Sequence, residues 1–432
     1  MQKIKLLTTT LLLLYSITLK AQDQRPNVVL ILADDLGFEC IGANGGTSYQ
    51  TPFIDKLAAQ GMRFENCHSQ PLCTPSRVQI MTGRYNVRNY TQFGTLNRDE
   101  ISFGQLFQNA GYKTVIAGKW QLGTENDSPQ YFGFEQSCLW QQAGGRTDEE
   151  GHDTRFSNPL LEINGKMKQY SNGEFGPDLV SDFLCDFIEE NKEQAFFAYY
   201  PMLLTHCPFV PTPDSKDWDP TSKGSLDYKG EPKYYPDMVA YMDKMVGKIV
   251  SKIDELGLGD NTLIIFTGDN GTDQPVVSML RGKEYPGGKS FTTDNGTHVP
   301  LVARWNKKIE ANSECFDLID FSDFFATICQ AAQIKTSSKQ LDGISFLPQL
   351  EGKKGNARKW SYCWFSRDGK TDKLKEFARN HEYKLYTTGE FFCVKDDLLE
   401  KHPLDIKKLS KDESRAYKML AKALANYSDI RD

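Results

Sequence analysis

Along most of this chain, short unbroken apolar runs alternate with stretches of helical periodicity. That alternation constrains the fold more than any other feature. The runs are "NVVLILA" (27–33), "YKTVIAGKW" (112–120), "AFFAYY" (195–200) and "NTLIIFTG" (261–268). A strand without polar alternation is buried on both faces, which is the habit of parallel sheets covered by helices. Helical stretches stand between the runs. "TPFIDKLAAQG" (51–61) offers Thr51 as cap, Pro52 next and Gly61 as stop. "ISFGQLFQNAG" (101–111) is a second helix. Leu179, Val180, Phe183, Leu184, Phe187 and Ile188 repeat at helical spacing, as do Met238, Met242, Met245, Ile249, Ile253 and Leu256 before Gly257. The pattern predicts an α/β fold: a large mixed, mostly parallel sheet sandwiched by helices. Past Leu350 it changes. "KWSYCWFSRDG", "EFARNHEYKLYTTGEFFCVKD" and "ESRAYKMLAKALANY" predict a small C-terminal antiparallel sheet plus a helix, with "TTGE" as a hairpin turn. The expected division is a large domain over 22–350 and a C-terminal subdomain over 351–432.

The first residues do not belong to this pattern. Lys3 and Lys5 precede an apolar run from Leu6 to Leu19, followed by Lys20-Ala21-Gln22. This reads as a signal peptide over 1–21, cleaved after Ala21, because the run is too short and too polar to span a bilayer. The expected location is periplasmic or secreted, with no membrane attachment after cleavage. The ten cysteines form no CxxC pair or regular spacing, so zinc and a disulfide scaffold are both poor readings. A net charge of −6 gives no sign of a nucleic-acid partner.

In open α/β sheets, sites gather beyond the carboxyl ends of the strands. Asp34 and Asp35 follow the first apolar run, Lys119 closes the second, His206 lies just beyond the third, and Asp269 and Asn270 follow the fourth. One acidic pair is an ordinary helix cap or turn. Two pairs, each directly after an apolar strand, form a hard oxygen set suited to calcium or magnesium. Arg77, Lys119, His206 and Lys289 add cationic donors, so the pocket fits an anionic, multi-oxygen group such as a phosphate or sulfate ester. In "SQPLCTPSRVQIMTGRY" (69–85), Thr74 is a capping type, Pro75 suits the first helical position and Gly83 suits the stop. Cys73 would then stand at the positive end of a helix, as a nucleophile or as a packing cysteine.

These residues carry a family resemblance. "CTPSR" resembles the C-x-P-x-R signature of type I sulfatases in the alkaline phosphatase superfamily. "NVVLILADDLG", "GKWQLG", "LTHCPF", "IIFTGDNG" and "GGKSFTTDNGTHVP" are similar to that family's other blocks, in its order. The resemblance implies an alkaline phosphatase-like fold and hydrolysis of a sulfate ester, with a sulfated carbohydrate as the expected substrate. It implies that a maturation enzyme oxidises Cys73 to formylglycine, whose hydrate supplies the nucleophile. The implied metal ligands are Asp34, Asp35, modified Cys73, Asp269 and Asn270, around calcium in preference to magnesium. Arg77 would hold the formylglycine, Lys119 would stabilise sulfate oxygens, and His206 and Lys289 would contact or protonate the leaving oxygen. A second hydroxyl on the same carbon then lets the sulfated intermediate collapse, which a serine could not do.

Two departures stand out. The family block usually reads GKWHLG, and the position of its histidine is Gln121 here, which cannot accept a proton at neutral pH. His68 is a candidate replacement or a core histidine. Asp294, Asn295 and His298 replace the more usual E-G-G-x-R pattern, and His298 could approach the site or pack. Trp140, Arg146, His152, Arg155, Trp364 and Arg367 are of the right types for sugar stacking and anion contacts. A phosphodiesterase or phosphonate hydrolase on the same scaffold, and a non-catalytic glycan-binding relative, are the alternative readings.

Overall fold

A computed structural model of the protein describes residues 25–140, 145–337 and 341–431. The expected signal peptide over 1–21 lies outside the described residues. In chain order the strands are β1 (Asn27–Ala33), β2 (Met62–His68), β3 (Lys113–Lys119), β4 (Gln136–Trp140), β5 (Leu160–Ile163), β6 (Lys166–Gln169), β7 (Phe196–Pro201), β8 (Thr262–Gly268), β9 (Val277–Leu280), β10 (Lys283–Pro286), β11 (His298–Arg304), β12 (Ser313–Asp320), β13 (Ser361–Phe365), β14 (Lys375–Arg379), β15 (Tyr383–Tyr386) and β16 (Phe391–Cys393). Ten of them form one sheet in the order β12-β2-β11-β8-β1-β7-β3-β4-β5-β6. The centre, β8-β1-β7-β3-β4, is parallel throughout. β11 runs antiparallel to both of its neighbours, and β5 and β6 close the other edge as an antiparallel hairpin.

Burial explains why the central runs carry no polar alternation. Val28, Leu30 and Leu32 of β1 belong to one apolar core, while Val29, Ile31 and Ala33 belong to another. Helices cover both faces, among them Pro52–Ala59, Phe103–Asn109, Gly176–Glu190 and Tyr235–Glu255. Ser102 and Gln105 cap the second of these with a reciprocal capping box. Gly118 permits a close approach of β3 to β7, since a Cβ there would stand 1.8 Å from the Pro201 carbonyl. The C-terminal part is a four-stranded antiparallel sheet, β13-β14-β15-β16, with the helix Lys411–Ala425 against β14 and β15. The expected turn over "TTGE" closes β15 onto β16, with Tyr386 donating to the Glu390 carbonyl at 2.9 Å.

One local expectation needs correction. The helix after "SQPL" is Cys73–Thr82, with Leu72 as its cap residue, so Cys73 opens the first turn and Pro75 sits third. Thr74 does not cap it. Its hydroxyl donates to Gln121 Oε1 at 3.4 Å and accepts from the Gly94 amide at 3.2 Å, so tertiary partners outcompete the local cap. The stop at Gly83 is as expected: its φ is 66° and its amide donates to the Gln79 carbonyl.

Candidate active site

Strand register brings the four strand ends to one rim. Ala33 of β1 pairs with Gly268 of β8, and Leu32 pairs with Pro201 of β7. The ladder continues one residue further, because the Asp269 amide donates to the Ala33 carbonyl and the Asp34 amide to the Leu204 carbonyl, both at 2.9 Å. Asp34, Asp35, Asp269 and Asn270 are therefore neighbours, and all four are fully buried.

Cations surround the carboxylates. Lys119 Nζ donates to both Asp34 oxygens, at 2.8 and 3.1 Å. Arg77 follows Cys73 by four residues on the same helix, hence on the same face. Its Nη2 donates to Asp269 at 2.9 Å and stands 3.7 Å from Asp34, while Nη1 donates to the Lys119 carbonyl at 3.1 Å. Lys289 pairs with Asp35, and His206 Nε2 lies 3.7 Å from the same carboxylate. Cys73 Sγ donates to Gln121 Oε1 at 3.0 Å. Asp35 and Gln121 both hold left-handed backbones, with φ of 59° and 54°, a conformation costing roughly 1–3 kcal/mol that persists where the surroundings enforce it. The nine residues expected as catalytic or metal-ligating, Asp34, Asp35, Cys73, Arg77, Lys119, His206, Asp269, Asn270 and Lys289, meet at this one place.

Electrostatics differ among the three carboxylates. Burial pushes Asp34 up, but Lys119 and Arg77 outweigh it and hold the carboxyl below its ordinary range. Burial raises Asp35, with Lys289 opposing. Burial and then the Asp34 charge push Asp269 up to about 7. Burial, with Lys289 and Lys119 adding to it, holds His206 well below the ordinary histidine range. Its Nδ1–H donates to the Cys207 carbonyl, so the neutral ring presents Nε2 as an acceptor.

The donor set fits a hard divalent cation. Ligand atoms of Asp34, Cys73 and Asp269 lie within 4.8 Å of one another, and so do those of Asp34, Asp35 and His206. Asn270 Oδ1 is buried without a hydrogen-bond partner, an acceptor waiting for a cation.

The site opens into a cleft of about 470 Å³. Cys73, Lys119, Gln121, His206 and Lys289 line it, as do Arg146, Arg155 and Arg367 from the loops expected to read substrate. Phe93, Tyr228, Lys229, Asp273 and Gln274 also line it and were missed in the sequence, where nothing but their loop position marks them. Trp140 and Trp364 are core residues, and His152 is held by Asp148 away from the lining. His68 and His298 are stacked on each other with ring centroids 5.0 Å apart; His298 also stacks on Phe38 and donates to the Glu65 carbonyl. Neither histidine lines the cleft, so neither replaces the missing one at position 121. All ten cysteines are unbridged.

Comparison with known proteins agrees with this geometry. A family model described as Sulfatase matches residues 26–334, and one described as N-sulphoglucosamine sulphohydrolase, C-terminal, matches residues 287–428. The chain is 31% identical to N-acetylgalactosamine-6-sulfatase of Mus musculus over 361 residues, covering 76% of this chain and 66% of that protein. It therefore spans slightly under two thirds of that relative's length. It is 28% identical to arylsulfatase G of Rattus norvegicus over 386 residues, covering 78% and 71%. Among solved structures, Ps i-CgsB in complex with k-i-k-neocarrahexaose superposes with a TM-score of 0.76 at 25% identity, covering 94% of each chain. Phosphonate monoester hydrolase of Agrobacterium radiobacter superposes with a TM-score of 0.69 at 20% identity over 93% and 95%, a likeness of fold alone. The rim of buried carboxylates, the cysteine at the helix start and the match across most of the length lead to one conclusion: the chain belongs to the sulfatase family.

Proposed function

We propose that this chain is an exported sulfatase, periplasmic or secreted, that hydrolyses a sulfate ester on a sulfated carbohydrate. Cys73 is its nucleophile position, converted to formylglycine by a maturation enzyme. The observation that carries this reading is the place of Cys73 itself. It opens a helix, its sulfur lies within 4.8 Å of ligand atoms of Asp34 and Asp269, and it lines the cleft. A neighbour solved with a neocarrahexaose and relatives named for a sulfated sugar support the carbohydrate. Residues 22–350 would form the catalytic domain and 351–432 a subdomain packed on it.

Asp34, Asp35, Asp269, Asn270 and modified Cys73 would hold the cation, calcium in preference to magnesium because three carboxylates outnumber the one or two that magnesium usually takes. When bound, such an ion withdraws charge from sulfate oxygens and acidifies a hydroxyl on the modified residue. The chain's own side chains do the rest. Arg77 anchors the start of the helix to Asp269 and to the end of β3. Lys119 faces charge on the sulfate oxygens. Lys289 carries protons and is placed to protonate the leaving oxygen, while His206 in its neutral form presents an acceptor to the same region. Gln121 orients the residue at 73 by a hydrogen bond and moves no proton.

The test is peptide mass spectrometry on protein from its native host. Trypsin should release Phe64 to Arg77, and fragmentation separates Cys67 from Cys73. An aldehyde or its hydrate at position 73, with turnover of a sulfate ester lost in Cys73→Ala, supports the reading. An unmodified thiol in native material overturns it.

A further inference from the structure

The cleft holds more positive charge than one sulfate ester requires. Three lysines line it, and each is already held by a carboxylate: Lys119 by Asp34 at 2.8 Å, Lys229 by Asp273 at 2.6 Å, and Lys289 by Asp35. Three arginines line it too, and they are held differently. The Arg146 guanidinium lies over the Tyr228 ring at 4.5 Å, and that of Arg367 over the Phe93 ring at 5.2 Å. Among the described residues no carboxylate pairs with either one. Arg155 is 1% exposed and lies 3.9 Å over the Trp140 ring. Its Nη1 donates to the Cys207 carbonyl at 3.0 Å, its Nε has no partner among the described residues, and Asp153 stands 3.9 Å from its Nη2, beyond hydrogen-bond reach.

Stacking fixes the plane of a guanidinium and leaves its N–H edges free, which suits a bidentate oxyanion. A buried guanidinium with an unpartnered N–H is costly unless an acceptor arrives. Two of the aromatic supports, Phe93 and Tyr228, line the same cleft, so the arginines are presented to whatever occupies it. A sulfate ester carries a single negative charge, and Lys119 and Lys289 already face it.

We propose that Arg146, Arg155 and Arg367 form a subsite for a second acidic group on the substrate, a sulfate or a carboxylate on the sugar bearing the scissile ester or on its neighbour. This rests on the sulfatase reading for the identity of the first group, but its test does not need turnover. The full-length chain carrying Cys73→Ser, in calcium buffer, is titrated calorimetrically with three ligands. These are a monosulfated N-acetylhexosamine, its disulfated counterpart, and a disaccharide joining a uronic acid to the monosulfated sugar. At least one doubly acidic ligand should bind tenfold or more tighter than the singly sulfated one. The ligand that gains tells sulfate from carboxylate. The gain should shrink several-fold in Arg146→Ala and in Arg367→Ala, and Arg367→Lys should recover part of it. Arg155→Gln should remove more, and its thermal melt reports whether it folds. No gain with either doubly acidic ligand, or a gain unchanged in Arg146→Ala and Arg367→Ala, overturns the subsite. A gain without hydrolysis by wild-type protein keeps the subsite and removes the sulfatase chemistry.

Discussion

Asn270 donates its side-chain amide to Asp35 Oδ1 at 2.8 Å, while its own Oδ1 is buried with no hydrogen-bond partner. Leaving such an acceptor unpaired costs about 1–3 kcal/mol. The Asp35 bond and a second to the Gly271 carbonyl at 3.0 Å pin the amide nitrogen and leave its oxygen open to a cation. Calcium should therefore stabilise the protein, by about 2.7 kcal/mol at a hundredfold excess over its dissociation constant. Differential scanning calorimetry with EDTA and then with added calcium reads this directly. The gain should be lost in Asp34→Asn. A melting temperature indifferent to both additions would remove the cation from this site.

Gln121 supplies a hydrogen bond where a proton acceptor would serve the second half of the reaction. Gln121→His should place an ionisable group beside the nucleophile position, which Gln121 now touches at 3.0 Å, and raise kcat above pH 7 by about a hundredfold, the lower end of the range for general base catalysis. The kcat profile should then gain an inflection that wild type lacks. An identical profile in both proteins would mean that collapse of the intermediate does not limit turnover.

The C-terminal sheet is tied to the Lys289 segment through buried charge. Asp294 accepts from Arg379 at 2.7 Å and Lys384 at 3.1 Å, while Lys384 also donates to the Thr292 carbonyl at 2.8 Å. Burial pushes Asp294 up, but Arg379 and Lys384 together hold it well below the usual carboxylate range. Its contribution is present above the unfolded carboxyl value and is lost as pH falls through that value and below. Asp294→Asn leaves Arg379 without a carboxylate, while Lys384 keeps Glu400 at 2.5 Å, and should cost about 3 kcal/mol in urea unfolding at pH 7, the lower end for breaking a buried pair.

His298 should make stability fall in mild acid. Burial holds it below its ordinary 6.5, at about 4, with Asp294 and the Glu65 carbonyl opposing and Arg379 adding to the effect. The folded protein thus binds fewer protons than the unfolded chain between those values. Stability is complete above about 6.5 and declines towards pH 4. The loss is at most about 3 kcal/mol, reduced by the partial exposure of the ring. His298→Gln keeps a donor for the Glu65 carbonyl and should flatten this slope in melts taken from pH 7 to pH 5. An unchanged slope would assign the acid sensitivity to His68 and His206, which are also held well below their ordinary value, chiefly by burial.

Local pattern alone determined the elements and the rim. Short unbroken apolar runs between helical stretches read as strands buried on both faces, and their polar ends mark the carboxyl edge of the sheet. Asp34, Lys119 and Asp269 were legible for that reason, and Cys73 was legible from its helix-start motif. Contacts across long sequence separations were decided by tertiary structure. Cys73 and Gln121 are 48 residues apart, Asp34 and Lys119 85, and Arg77 and Asp269 192. Whether His298 packs or approaches the site depends on β11 lying beside β2, which stacks it on His68 and Phe38. The arginines of the cleft come from two loops, and only the fold shows that their guanidiniums stack on rings with no carboxylate of the described residues within hydrogen-bond reach. The helix start moved from Thr74 to Cys73 for the same reason: a side chain's best partner is chosen by what the sheet order brings next to it, which residue spacing along the chain does not encode.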